Sequence, residues 1–150
     1  IEELTRLKKL LEECEIKPHV IQMEAHPYYR DEETISALAP CGCRVMAWYP
    51  LGHGDHALLE EPIVKELAEK YEKSTAQVIL RWHTQVGNIV IPGSTNPEHI
   101  KANLDIFGFE LTDEEMKKME GLNKNVRYYY PDEEKLAAYV NMKIDLDSQK

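Results

Sequence analysis

The sequence predicts an α/β fold built on a parallel sheet, and three observations carry the prediction. Short apolar runs of buried-strand type, at residues 20–25, 43–48 and 88–92, alternate with segments of helical apolar periodicity. Proline and glycine punctuate most junctions between them. The length of 150 residues, with 43% hydrophobic and 30% charged residues, suits one folded unit and excludes collagen-like, coiled-coil and low-complexity chains.

The elements follow in order. Ile1, Leu4, Leu7, Leu10, Leu11 and Cys14 recur at intervals of three and four, the mark of a helix with one apolar face, and Pro18 bars its continuation. Residues 20–25 form a strand in which Gln22 and Glu24 share one face and Ile21, Met23 and Ala25 the other. A second helix spans 30–39 and stops at Pro40, a second strand spans 43–48, and a loop rich in breakers covers 49–55. Pro62 stands at the first position of a third helix, whose stripe is Ile63, Val64, Leu67, Ala68 and Tyr71. Ser74-Thr75-Ala76-Gln77 is a capping box that launches a fourth helix through Val78, Ile79 and Trp82.

Residues 88–92 make the third strand. Asn96 then caps, and Pro97 opens, a helix running to about Asn103. Thr112-Asp113-Glu114-Glu115 is another capping box, with Met116, Met119 and Leu122 facing inward. A last helix is expected from near Pro131, packing Leu136, Ala137 and Val140, before a polar tail at 143–150. No repeat or linker divides the chain, which reads as a single partial domain over 1–150. Three parallel strands leave two sheet edges to be covered.

Charge and cysteine narrow the function classes. With 27 acidic against 18 basic residues the net charge is −9, spread evenly, and only pairs such as Lys8-Lys9 and Lys117-Lys118 are basic, so no nucleic-acid footprint is expected. No run approaches the roughly 20 apolar residues of a membrane span, so no membrane partner is expected either. Cys14, Cys41 and Cys43 are odd in number and Cys41-Gly42-Cys43 is too tight for a relaxed disulfide, which favours reduced thiols and a cytoplasmic location. No spacing suggests a metal site. The opening Ile1-Glu2-Glu3, already inside an amphipathic pattern, is expected of a cut end.

Ligands of α/β folds gather at the carboxyl ends of the parallel strands. There, Gly93 permits close backbone approach, Ser94 and Thr95 present hydroxyls, and a helix begins at once, which together suit an anion. Trp48 ends the second strand and could stack on a flat ring; Gln22 could hydrogen-bond a ligand amide. Each also has an ordinary structural explanation, respectively a capped loop, a core tryptophan and a satisfied glutamine.

Several motifs, matching in order and spacing, resemble the C-terminal part of aldo-keto reductases. They are Val20-Ile21-Gln22-Met23-Glu24-Ala25-His26-Pro27-Tyr28; Val45-Met46-Ala47-Trp48-Tyr49-Pro50-Leu51-Gly52; Thr75-Ala76-Gln77-Val78 with Arg81-Trp82; and Ile91-Pro92-Gly93-Ser94 with Pro97 and Asn103. The resemblance extends from Ile1 to about Asn125 and implies the C-terminal portion of a (β/α)8 TIM barrel, about strands six to eight with their helices. It implies NADPH or NADH as cofactor and an aldehyde or ketone as small carbonyl substrate. Gln22 would bond the nicotinamide carboxamide, and Trp48 would stand where the family usually has a tyrosine stacked on the nicotinamide. Tyr49, Pro50, Leu51, Gly52, His53 and Asp55 would line the pyrophosphate loop, and Ser94, Thr95, His99 and Asn103 would surround the adenosine end.

Two departures matter. Many members have a lysine before the serine at 94 and an arginine at the position of His99, where they grip a 2′-phosphate; Gly93 and His99 offer less positive charge, so a weaker NADPH preference is implied. The family's catalytic tyrosine, lysine, aspartate and histidine lie upstream of Ile1, so no catalytic residue is assigned here and the isolated chain is expected to show no turnover. Tyr128-Tyr129-Tyr130 would either line an aromatic pocket or pack against the barrel base or neighbouring helices, the latter being the expectation. The alternatives are a self-associating half-barrel, joined through its exposed sheet edges and acting as a non-catalytic nucleotide-binding or structural module, and an unrelated enzyme using His26 or His53 as base, for which no nucleophile or carboxylate partner is indicated by spacing.

Overall fold

The computed structural model describes residues 2–130 and 132–142. Helix α1 (Glu2–Glu13) leads into strand β1 (Val20–Glu24), helix α2 (Glu32–Leu38), a 3-10 turn (Ala39–Cys41) and strand β2 (Arg44–Trp48). Helices α3 (His56–Leu59), α4 (Pro62–Tyr71), α5 (Thr75–Gln85), α6 (Pro97–Leu104), α7 (Asp113–Glu120) and α8 (Glu133–Asn141) complete the described chain. β1 and β2 pair in parallel, with Gln22 opposite Met46 and Glu24 opposite Trp48. The α2 crossover between them is what a parallel pair requires.

The expected third strand is reduced to one bridge. Ile89 accepts from Ala47 N–H and donates to Val45 O, each at 2.8 Å, on the side of β2 away from β1. Beyond it Ile91 is largely exposed, and Pro92 brings no N–H to a ladder. With no neighbour on its far side among the described residues, the segment 88–92 has nothing to extend the pairing.

Local chemistry sets the helix starts. Asp31 caps α2 through Thr34 N–H, and Ser74 and Thr112 each make reciprocal capping boxes with Gln77 and Glu115. Pro62 and Pro97 sit in the first turns of α4 and α6. The short α3 was not anticipated; Asp55, read as part of the loop, is its cap and accepts Ala57 N–H. Ala137 of α8 is exposed rather than packed, and the expected contacts of Pro131, Leu136, Val140 and the 143–150 tail lie outside the described residues.

Two apolar clusters hold the layers together. Val45, Ala47, Ala25 and Leu38 pack with Ile21, Met23, Leu7 and Leu11, which puts α1 and α2 against one face of the sheet. The larger cluster joins Leu58, Val64, Leu67, Val78, Ile79, Trp82, Leu111 and Met119 across α3, α4, α5 and α7. Because side chains alternate along a strand, Gln22, Glu24, Met46 and Trp48 are left on the opposite sheet face. That face and the strand ends carry the candidate site residues.

Candidate functional site

The carboxyl ends of β1 and β2 open onto two cavities. The first, about 310 Å³, is lined by Gln22, Trp48 and Tyr129 together with Glu24, Tyr29 and Arg127, and runs along the outer edge of β1. The second, about 510 Å³, is lined by Tyr49, Pro50, Leu51 and His53 on one side and by Pro92, Gly93, Ser94, His99 and Asn103 on the other. Both fall in the range of small-molecule sites. The structure thus brings most of the expected site residues into two adjoining groups.

A stack of three rings links them. The Trp48 ring lies 3.9 Å from that of Tyr49, at 21°, and Tyr49 lies 3.8 Å from His53, at 31°. Trp48 belongs to the first cavity, and Tyr49 and His53 to the second. Tyr49 and His53 both adopt left-handed backbone, with φ of 58° and 53°, an unusual conformation for residues with a Cβ and one that the ring contacts help to hold. Trp48 is therefore no core tryptophan: it is half-buried, with Tyr49 over its face and Tyr129 edge-on at 5.1 Å.

Gln22 is exposed on the sheet face, and its side-chain amide is 3.6 Å from Met46 Sδ, a weak acceptor that leaves hydrogen-bonding capacity for a ligand. At the far end Ser94 Oγ accepts Asn96 N–H at 3.1 Å, which leaves its own O–H to donate outward. Asn96 caps α6 by accepting Glu98 N–H. Nothing lies within 4 Å of where a Gly93 side chain would begin, so the cradle there is open. Thr95 and His99 are exposed, while Asn103 is half-buried.

Three expected residues line neither cavity: Thr95, and Gly52 and Asp55 of the 49–55 loop. Gly52 is buried, and a Cβ there would meet Leu58 Cδ2 at 3.2 Å and Tyr128 Oη at 3.3 Å. Asp55 faces inward, accepting from Ala57 N–H at 2.8 Å and from Tyr128 Oη at 2.7 Å, and these bonds lower its pKa. Gly52 and Asp55 shape the loop from beneath. His83 on α5 does the same: its Nε2–H donates to Pro50 O and its Nδ1 accepts from Asn88, both at 3.1 Å, while complete burial pushes its pKa down to about 4.

The C-terminal segment divides between its two expected placements: Tyr128 packs against the helical cluster that includes Leu58, while Tyr129 lines the first cavity. The Tyr128 and Tyr129 N–H groups donate to the Glu24 carboxylate at the end of β1. His26, for which spacing indicated no carboxylate partner, has one in Glu24, whose Oε1 is 3.1 Å from Nε2. Yet His26 is fully buried and its pKa is lowered, chiefly by desolvation, so it is a structural imidazole rather than an accessible base. Glu24 and His83 were not singled out from the sequence, and only the shared polar face of Gln22 and Glu24 hinted at the former; Tyr129 entered only through the alternative of an aromatic pocket at 128–130.

A sequence model described as the aldo/keto reductase family matches residues 2–124. "Aldo-keto reductase family 1 member A1" of Sus scrofa is 41% identical over 134 residues, covering 84% of this chain and 41% of that protein. Among solved structures, an aldo/keto reductase from Brucella melitensis is 40% identical with a TM-score of 0.72, covering 79% of this chain and 45% of its own. A Bombyx mori aldo-keto reductase in complex with NADP is 34% identical with a TM-score of 0.75, covering 83% and 43%. The chain spans about two fifths of the length of the curated relatives it matches. Its strands and helices are the C-terminal portion of a (β/α)8 barrel. No helix among the described residues is long and apolar enough to cross a membrane. With a family match over most of its length and a backbone that follows these barrels, the chain belongs to the aldo/keto reductase family.

Proposed function

We propose that this chain is the cofactor-binding part of an NAD(P)H-dependent reductase of aldehydes or ketones. The observation that carries the reading is the Trp48–Tyr49–His53 ring stack joining two cavities at the strand ends. A dinucleotide has the matching layout, a flat ring at one end and a phosphate-bearing adenosine at the other. In this reading Gln22 bonds the carboxamide and the half-buried Trp48 ring faces the nicotinamide. Tyr49, Pro50, Leu51 and His53 follow the pyrophosphate, with Gly52 and Asp55 shaping that loop. Ser94, Thr95, His99 and Asn103 meet the adenosine end. The bound cofactor supplies hydride to a carbonyl carbon.

The chain's own contribution is to bind and orient. Its buried histidines are committed to Glu24 and to Pro50, and in this reading proton donation is assigned to no residue of the chain. The isolated chain is accordingly expected to bind nucleotide and not to turn over. Neither His99 nor Gly93 offers a fixed positive charge to a 2′-phosphate, so NADH should bind nearly as well as NADPH.

Fluorescence titration with each nucleotide tests this. Trp82 is completely buried, so quenching reports on Trp48 and should vanish in Trp48→Phe. A folded chain whose emission neither nucleotide alters would overturn the reading.

A further inference from the structure

The carboxylate of Glu24 is the most deeply placed charge near the site, and the catalytic chemistry leaves it without a part. It ends β1 and is 7% exposed, a location in which an ionised carboxylate is costly unless donors surround it. Three do. The backbone N–H groups of Tyr128 and Tyr129 donate to its two oxygens, the latter at 3.2 Å, and His26 Nε2–H donates at 3.1 Å. His26 supplies a hydrogen bond rather than a counter-charge, because burial outweighs the opposing pull of Glu24 and Asp55 and lowers its pKa; its Nδ1 is buried with no partner among the described residues.

The bond reaches across 105 positions of sequence to set where the C-terminal segment lies. The upstream end of that segment is fixed separately, by Lys124 and Val126 N–H groups donating to Tyr28 O. Glu24 holds the main chain of the downstream end, where the Tyr128 side chain is also tied to Asp55, and the Tyr129 ring there stands at 76° to Trp48 and helps wall the first cavity. We propose that Glu24 is a positioning residue for the nicotinamide end of the site: by clamping the main chain of Tyr128 and Tyr129 it holds the Tyr129 ring beside Trp48 and so shapes the berth of the ring ligand. The proposal rests on the cofactor reading given above, and it assigns Glu24 no contact with the ligand.

The test replaces the charge while keeping the shape. In Glu24→Gln a neutral amide faces the same backbone N–H groups, and charge-assisted bonds give way to weaker ones. Amide hydrogen exchange at Tyr128 and Tyr129 should quicken at least tenfold, while that of the buried α5 residues Val78 to Leu80 stays unchanged. Affinity for the tighter of NADH and NADPH should fall about tenfold, whereas that for its counterpart lacking nicotinamide, ADP-ribose or 2′-phospho-ADP-ribose, stays within twofold. Tyr129→Ala, which spares the clamp, should show the same selective loss, and it carries the test if Glu24→Gln does not fold. Equal losses for both ligands, or no loss for either, overturn the proposal, as does unchanged exchange at Tyr128 and Tyr129. A parent chain that binds neither nucleotide overturns the cofactor reading instead, and the exchange result then still decides whether Glu24 clamps the segment.

Discussion

Tyr128 and Asp55, 73 positions apart, meet in one hydrogen bond: the phenol O–H donates to Asp55 Oδ2 at 2.7 Å. The other oxygen of the same carboxylate accepts Ala57 N–H and caps α3. Burial and the Asp55 charge push the Tyr128 pKa up, while the bonds from Ala57 and Tyr128 pull that of Asp55 down, as fits a neutral phenol donating to an ionised acid. The C-terminal segment is thereby tied to the loop that edges the second cavity.

Tyr128→Phe removes the O–H and leaves the ring against His26. The loop at 49–55 should loosen while the α3 cap survives, so nucleotide affinity is expected to fall by about three- to tenfold with little change in amide exchange at Ala57. Calorimetric titration beside exchange measurements checks both halves. Affinity equal to that of the parent would mean that the tie does not shape the loop.

Gly52 and Gly54 separate two effects that usually come together. Both have left-handed backbone, with φ of 82° and 80°, but a Cβ on Gly52 meets Leu58 and Tyr128 while one on Gly54 meets nothing within 4 Å. Gly54→Ala should cost only the backbone term of about 1 kcal/mol, and Gly52→Ala should cost about 1–3 kcal/mol more through overpacking. Urea unfolding of the two variants should therefore differ in midpoint. Coincident midpoints would show that Leu58 gives way freely.

What could be read from the sequence was local. Ser74 with Gln77 and Thr112 with Glu115 lie three residues apart, so their capping boxes are written in adjacent letters, and Pro62 and Pro97 mark helix starts in the same way. Trp48, Tyr49 and Ser94 stood out as candidates because strand ends are where ligands gather. The third strand shrank to Ile89 because a strand is stabilised by its neighbours, and apolar alternation carries no information on whether a neighbour is there. The Glu24 clamp and the His83 bond to Pro50 join residues far apart in sequence, and no spacing rule reaches them.

His83 should make stability depend on pH below neutrality. Burial holds its folded pKa near 4 against 6.5 for a free imidazole, so between those values the unfolded chain binds the proton that the folded chain refuses. Stability is full above about pH 6.5 and falls as the pH drops toward 4, with His26, whose pKa is also lowered, adding to the slope. His83→Gln keeps a donor for Pro50 O and removes the titration. Its stability should change less steeply than the parent's across this window, and an equal slope in urea unfolding at several pH values would exclude His83 as the source.

Glu115 governs the range below. Desolvation opposes its charge, but Lys70 Nζ and Tyr71 Oη donate to it, each at 2.6 Å, together with Thr112 N–H at 2.8 Å, and the net effect takes its pKa from 4.5 down to about 2. A depressed carboxylate pKa means that the stabilisation is complete above about pH 4.5 and disappears as the pH falls toward 2, where the folded state must also take up the proton. Glu115→Gln preserves the capping box, since glutamine serves at that position as Gln77 does in α5, so the substitution isolates the charge. After allowance for solvent screening the loss at neutral pH should be on the order of 1 kcal/mol. The stability difference between parent and variant should hold constant from pH 7 to about 5, then close between about 4.5 and 2. If the two curves instead ran parallel down to pH 2, the hydrogen bonds of Lys70 and Tyr71 would not depend on the Glu115 charge.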